Sequence, residues 1–182
     1  MSIKKIAKAG SVVCSVSAII AIVVTSGNVR TNQAGLELIG NAESCRRDPY
    51  VCPAGVLTDG IGNTHNVWSG KTDEQIAKDW EKNISIAEDC VNRSFRGRSM
   101  SDNAFSAMTS AVFNVGCDGL QKYYSPARKG WFETSIHKYA QAGNWTMMCN
   151  HLPDFVNSGG KKLPGLVARR DKEKALCLKA DQ

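Results

Sequence analysis

Glu43, Cys52 and Thr58 put three reactive groups into one short stretch: a carboxyl, a thiol nine positions on, and a hydroxyl six positions after that. A carboxylic acid can protonate a leaving oxygen as a bond breaks, and a thiol or hydroxyl beside it can hold the attacking water. The chain then runs Asp59-Gly60-Ile61-Gly62-Asn63-Thr64, a glycine-rich turn. Each residue taken singly has an ordinary alternative: a solvated glutamate at a helix end, a buried cysteine, a β-branched strand residue. The chemistry depends on what brings them together.

The elements that must do so are legible in the pattern. Residues 32–43 read as a helix with Thr31 or Asn32 as its cap. Leu36, Gly40 and Glu43 fall on one stripe of it, so the acid shares a face with apolar and small residues. A carboxyl against a partly apolar wall is disfavoured as the anion, which suits a general acid. Residues 45–65 are rich in Gly, Pro and Asp and read as a small hairpin lobe. Thr72-Asp73-Glu74-Gln75 is a capping box that opens a helix to about Phe95, with Ile76, Trp80, Ile84 and Ala87 inward. Ser101 starts another, ended by Gly116, and residues 131–142 and 145–151 read as two more. Pro164 fits the first turn of a last helix to about Lys179. Arg169 and Arg170 on it read as helix-surface or end-of-helix partners. The fold class is α+β, mostly α, with a small β-hairpin lobe beside a cleft and an apolar helix in front.

Composition bounds the rest. The 182 residues carry a net charge of +6, which suits an acidic or anionic partner. Basic residues interleaved with aromatics in a stripe are missing, so nucleic acid is not the expected partner. The seven cysteines, at 14, 45, 52, 90, 117, 149 and 177, have no zinc-like spacing, and His65 and His137 have no metal-like neighbours. No metal or cofactor is expected. Lys4, Lys5 and Lys8 precede an apolar stretch over residues 9–25, an arrangement that keeps the N-terminus cytoplasmic and sends the rest across. At about 1.5 Å per residue that stretch spans roughly 25 Å, short of a hydrocarbon core of about 30 Å. A marginal, uncleaved anchor is favoured over a cleaved signal peptide. The chain therefore divides into a basic N-terminus (1–8), an apolar segment (9–25), a linker (26–31) and a catalytic domain (32–182). Such export favours disulfides; the pairing of Cys90, Cys117, Cys149 and Cys177 stays open among three possibilities.

With these residues in hand, the chain resembles the phage lysozymes of glycoside hydrolase family 24. Their signature is Glu, eight residues, Asp or Cys, five residues, Thr, and here it is Glu43, SCRRDPYV, Cys52, PAGVL, Thr58. The stretch TDGIGNTH (58–65) is similar to the family's TIGYGHT, with Asp59, Ile61 and Asn63 as departures. AFSAMTSAVFNVGC (104–117) and GGKKLPGLVARRDKEKALC (159–177) are similar to its core and C-terminal helices. The apolar segment with Cys14, Cys45 and Cys52 narrows the resemblance to the signal-arrest-release endolysins of cysteine-caged type. The resemblance implies a muramidase acting on peptidoglycan between N-acetylmuramic acid and N-acetylglucosamine. Glu43 would be the general acid, Thr58 would hold a water, and Cys52 would position or activate it. It also implies regulation through Cys14, Cys45 and Cys52. A Cys45–Cys52 bridge would block the site, and Cys14 would attack Cys45 once the segment leaves the lipid. The partners implied are peptidoglycan, the host inner membrane and the export machinery, with a monomeric enzyme that is tethered to that membrane and then released to the periplasm. Two alternatives remain beside it: a lytic transglycosylase, against which the water-handling Cys52 and Thr58 argue, and a non-enzymatic, membrane-anchored wall-binding protein.

Overall fold

The computed structural model describes residues 14–43, 45–52 and 55–181. Lys4, Lys5, Lys8 and the start of the apolar segment lie outside them. Helix α1 (Val16–Ser26) begins at Ser15, whose Oγ accepts from the Ala18 N–H, and ends at Gly27 with φ 65°. Helix α2 (Gln33–Glu43) starts under Asn32, whose Oδ1 accepts from the Gly35 N–H. Two short antiparallel strands follow, β1 (Arg46–Val51) and β2 (Leu57–Gly60). Helix α3 (Asp73–Ser94) has the full capping box between Thr72 and Gln75. Helix α4 (Asp102–Val115) stops at Gly116, and α5 (Cys117–Gln121) leads into the hairpin β3 (Lys122–Ser125) and β4 (Gly130–Glu133). Helices α6 (Ser135–Gln141) and α7 (Trp145–Asn150), a two-residue ladder of β5 (Asn157–Ser158) and β6 (Lys161–Lys162), and α8 (Pro164–Cys177) complete the order.

Helix α4 is the hub. It is buried all round from Asn103 to Val112, with α2, α3 and α8 packed on it. That explains its small residues: Ala104, Ser106, Ala107, Ser110 and Ala111 let three helices approach one axis. One apolar core lies around α4, built from Phe95, Phe105, Met108, Leu120, Ile136 and Met148. A second lies under the β1–β2 lobe and joins Leu36, Ile39, Ile61, Ile76, Trp80 and Ile84 to the apolar face of α1.

The apolar N-terminal segment thus has a seat in the body. Ile19 and Val23 of α1 are fully buried against this second core, and Ser17, Ala21, Val24 and Thr25 face solvent. The fit is close at Gly40, where a Cβ would meet Val16 Cγ1 at 2.8 Å. At the end of α1 and just past it, Ser26 Oγ and Asn28 Nδ2 both donate to the Glu81 carboxylate. Among the described residues no helix is long and apolar enough to cross a membrane.

Three disulfides tie these layers: Cys14–Cys45, Cys90–Cys117 and Cys149–Cys177. The second joins α3 to α5 and the third α7 to α8, choosing one of the three pairings left open by the sequence. With separations of 27 and 28 residues, each removes loop entropy from the unfolded chain worth about 3.5 kcal/mol in the chain-entropy account.

One expected element differs. Residues 131–133 are strand, not the first turn of a helix, and α6 begins only at Ser135. Tyr123 and Tyr124 pair across from Phe132 and Trp131, so cross-strand aromatic packing overrides the helical pattern read downstream of them.

Candidate active site

Glu43 is the last residue of α2, its side chain 28% exposed. Its Oε1 accepts from Arg169 Nη1 at 3.2 Å. Arg169 is itself fixed: Nε donates to Glu173 Oε1 at 3.1 Å and Nη2 to the Ser110 carbonyl at 3.3 Å. Glu173 is fully buried, accepts from Ser110 Oγ at 2.7 Å and from Arg170, and Arg170 reaches Asn114 and the Phe155 carbonyl. Burial pulls the Arg170 pKa below its ordinary value and Glu173 opposes this; a guanidinium stays charged regardless. Arg169 and Arg170 are therefore not helix-surface residues. They are interior cations that join α8 to α4 and, through Arg169, to the acid on α2. The signal was present in the sequence, since Arg169 and Glu173 stand four apart on a helix, but only the packing makes that pair interior.

The wall opposite Arg169 is the glycine turn of the lobe. Gly60 and Gly62 have φ of 54° and 68°, a region costly for any residue with a Cβ. A Cβ on Gly62 would sit 3.6 Å from Glu43 Oε2 and 3.9 Å from Phe113 Cε1, so any side chain at this position would stand against the acid. The family departures at Asp59, Ile61 and Asn63 form one linked set. Asp59 and Asn63 exchange backbone hydrogen bonds at 2.9 Å, and Asn63 Nδ2 donates to Asp59 Oδ1 at 2.7 Å. Ile61, between them, is buried in the lobe core. Asp59 Oδ2 accepts from the Trp68 N–H at 3.0 Å and from Lys71 Nζ at 2.7 Å, and Lys71 also reaches Asp79 at 2.7 Å. Burial alone would lower the Lys71 pKa; the hydrogen bonds from its ammonium to Asp59 and Asp79 outweigh that and raise it.

Thr58 lies opposite Tyr50 in the β1–β2 ladder and is buried. Its hydroxyl donates to the Val56 carbonyl at 3.0 Å, so toward a water it offers a lone pair. Cys52 is half-buried just after β1; its N–H donates to the Val56 carbonyl and its carbonyl accepts from the Gly55 N–H. It lies outside the three disulfides, whereas Cys45, buried at the other end of β1, is bonded to Cys14 with Cα atoms 5.3 Å apart. Tyr50 joins the site although its sequence gave no hint of it. Burial first, then the charge of Glu43, push its phenol pKa up, against the pull of Arg46 stacked on its ring at 4.5 Å. A cleft of about 300 Å³ opens from Gly62 between the lobe and helices α3–α5, lined by Thr64, His65, Asn83, Ile86 and Phe113. His65 faces this cleft; His137 does not, being paired with Glu133 at 2.6 Å.

An acid at a helix end, beside the glycine turn of a small β-lobe that borders a cleft against the helices, defines a lysozyme-type glycoside hydrolase. The phage lysozyme family model matches residues 40–173, and the chain belongs to that family. It is 67% identical over 176 residues to the SAR-endolysin of Escherichia phage P1, covering 96% of this chain and 95% of that one. Its structure is similar to the active form of the P1 phage endolysin Lyz, with TM-score 0.89, 68% identity and coverage of 93% and 96%. To the secreted inactive form of the same endolysin the likeness falls to TM-score 0.63, at 70% identity and coverage of 81% and 95%. The chain is thus an endolysin-class peptidoglycan hydrolase.

Proposed function

We propose that the enzyme hydrolyses the β-1,4 bond between N-acetylmuramic acid and N-acetylglucosamine, with Glu43 as general acid. Glu43 gives its proton to the glycosidic oxygen as the bond to the anomeric carbon breaks. A water held on the lobe side by Thr58 and Cys52 adds its hydroxyl to that carbon, and the water's other proton leaves to solvent. The observation that carries this reading is the Glu43 carboxylate, held by Arg169 on one side and with the side-chain-free Gly62, which lines the cleft, on the other. Removing the transferable proton should remove a factor of about 10²–10⁴. Glu43→Gln, folded and with its three disulfides intact, should fail to release reducing ends from wall sacculi. Lysis near the parent rate, or anhydro-muramic ends from the parent enzyme, would reject the assignment.

The enzyme reaches its substrate, in this reading, as a tethered inactive form. Residues 1–8 stay cytoplasmic, 9–25 anchor the chain in the host inner membrane after export, and 26–31 link it to the catalytic domain in the periplasm. A Cys45–Cys52 bridge holds the site inactive. When the segment leaves the lipid, the Cys14 thiolate attacks the Cys45 sulfur, the Cys14–Cys45 bond forms, and Cys52 departs as thiolate. One disulfide is made for one broken, so no oxidant is needed. Two findings support this: Cys14–Cys45 is the bridge present, with α1 seated on the body, and a close relative is known in an active and a secreted inactive form.

A further inference from the structure

We propose that the β3–β4 hairpin is a second glycan-binding platform, which grips uncut wall glycan outside the catalytic cleft; this rests on the peptidoglycan-hydrolase reading above. The hairpin is anchored only at its base. The Thr134 N–H donates to the Gln121 carbonyl at 3.0 Å and its hydroxyl to the Leu120 carbonyl at 2.5 Å. Beyond that point none of residues 122–133 is buried. Yet four aromatics sit there, and three of them, Tyr123, Tyr124 and Trp131, are 43%, 51% and 66% exposed. Scattered exposed aromatics need no explanation, but a cluster marks an interaction surface.

The ladder register sorts the cluster onto two faces, with the rings edge-to-face on one and tilted on the other. Tyr124 and Trp131 are directly paired, their rings 5.7 Å apart, with Lys122 Nζ 5.6 Å from the Trp131 ring. On the reverse, Tyr123 pairs with Phe132, and Arg128 lies 3.8 Å over Phe132 while donating to the Tyr123 hydroxyl at 2.8 Å. The aromatics are thus held by one another and by their own cations, not by the body of the protein.

Charge and shape select the occupant. Residues 122–133 carry Lys122, Arg128 and Lys129 against Glu133, a net of 3 − 1 = +2. Flat rings with polar edges fit the C–H faces and hydroxyls of a sugar, and cations at both ends fit the carboxylates of muramyl groups and their peptides. A bilayer fits less well. The tip is Ser125-Pro126-Ala127-Arg128-Lys129, so to immerse the strand-face aromatics the two cations would have to go in first. A polymer lying along the strand faces meets the rings without that obstacle.

The test uses the released, oxidised enzyme carrying Glu43→Gln, so that sacculi stay intact during binding. Tyr124→Ala with Trp131→Ala should weaken co-sedimentation with purified sacculi about tenfold, as loss of two aromatic contacts predicts. Tyr124→Phe with Trp131→Phe should retain most of the binding. In the Glu43 background, the alanine pair should slow cleavage of sacculi and leave unchanged the rate on a soluble glycan too short to span cleft and hairpin. Unchanged sedimentation, an equal loss on the short glycan, or a loss seen on phosphatidylglycerol vesicles instead of sacculi would each overturn the proposal. Should the alanine pair misfold, Lys122→Ser with Lys129→Ser probes the cationic ends under the same criteria. A parent enzyme that releases no reducing ends from sacculi would count against the hydrolase reading alone, since sedimentation is measured without turnover.

Discussion

Glu173→Gln is the sharpest probe of how the site is held. The change keeps the shape and one acceptor oxygen and removes one buried negative charge. That charge faces Arg169 and Arg170, of which the first is 8% exposed and the second not at all. If the interaction were only a neutral hydrogen bond, the loss would be about 1 kcal/mol. Two interior guanidiniums left with less compensation make it about 3–5 kcal/mol. For a chain of this size each kcal/mol moves Tm by about 2–4 °C, so Tm should fall by about 6–20 °C. The control is Glu133→Gln, whose partner is His137 and whose side chain is 50% exposed; an exposed pair contributes about 0–1 kcal/mol, and Tm should move by no more than about 4 °C. Circular dichroism melts of both variants in oxidising buffer decide the matter. Activity assayed well below either Tm should fall for Glu173→Gln only, because Arg169 loses the group that aims it at Glu43. Equal melts for the two variants would refute the claim that this interior cluster fastens α8 to α4 and positions the acid.

The other expectations concern the lobe and the bridge. Gly62→Val should cost about 1–2 kcal/mol for a Cβ in the left-handed region and should slow lysis further because its side chain fills the space beside Glu43; a folded variant lysing at the parent rate would show that this space does not matter. The folded-state pKa of Lys71 is raised above 10.5, so its contribution is fully present below the ordinary value and is lost as pH rises through the raised one. Stability measured by urea melts should therefore be insensitive to Lys71 from pH 6 to 9 and decline on the alkaline side, and Lys71→Met, which leaves Asp59 interior without its cation, should be destabilised at neutral pH. Cys14→Ser should export and leave the membrane yet remain inactive until a reductant is added, whereas Cys45→Ser should be active without Cys14; disulfide mapping before and after release checks both, and full activity of Cys14→Ser in oxidising buffer would reject the exchange.

What was legible in the sequence was local. The capping box at Thr72, the stop at Gly116, and the stripe that carries Leu36, Gly40 and Glu43 all follow from spacing over one or two helical turns, and the structure has each. What was not legible depends on which surfaces meet. Arg169 and Arg170 look like surface cations until α8 lies against α4. Asp59 and Asn63 look like departures from a family motif until Lys71, many residues on, turns out to be the cation they fold around. The 122–133 hairpin was hidden differently. Its aromatics and its Pro126 and Gly130 were visible, but strand pairing is a relation between two segments, and each read alone was ambiguous.

The α1 segment shows why its composition has to be intermediate. In the body its apolar face covers Trp80 and Ile84, and Ile19, Ile20 and Val23 are buried there. At about 1.5–3 kcal/mol each, those three side chains gain roughly 5–9 kcal/mol over exposure to water. A bilayer shelters the same apolar side chains from water as well, so what separates the two environments is the polar part of the segment. The serines and threonine of the segment oppose insertion, while in the folded body Ser15, Ser17 and Thr25 face solvent without penalty. On the proposed release route the folded body therefore accommodates the segment's polar face, which the bilayer does not. A more apolar stretch would not leave the lipid; a more polar one would not have covered Trp80. Gly40 makes the docked state specific, because its missing side chain is the slot that receives Val16, and the Cys14–Cys45 bond then closes at the one end of α1 that the Glu81 contacts do not hold.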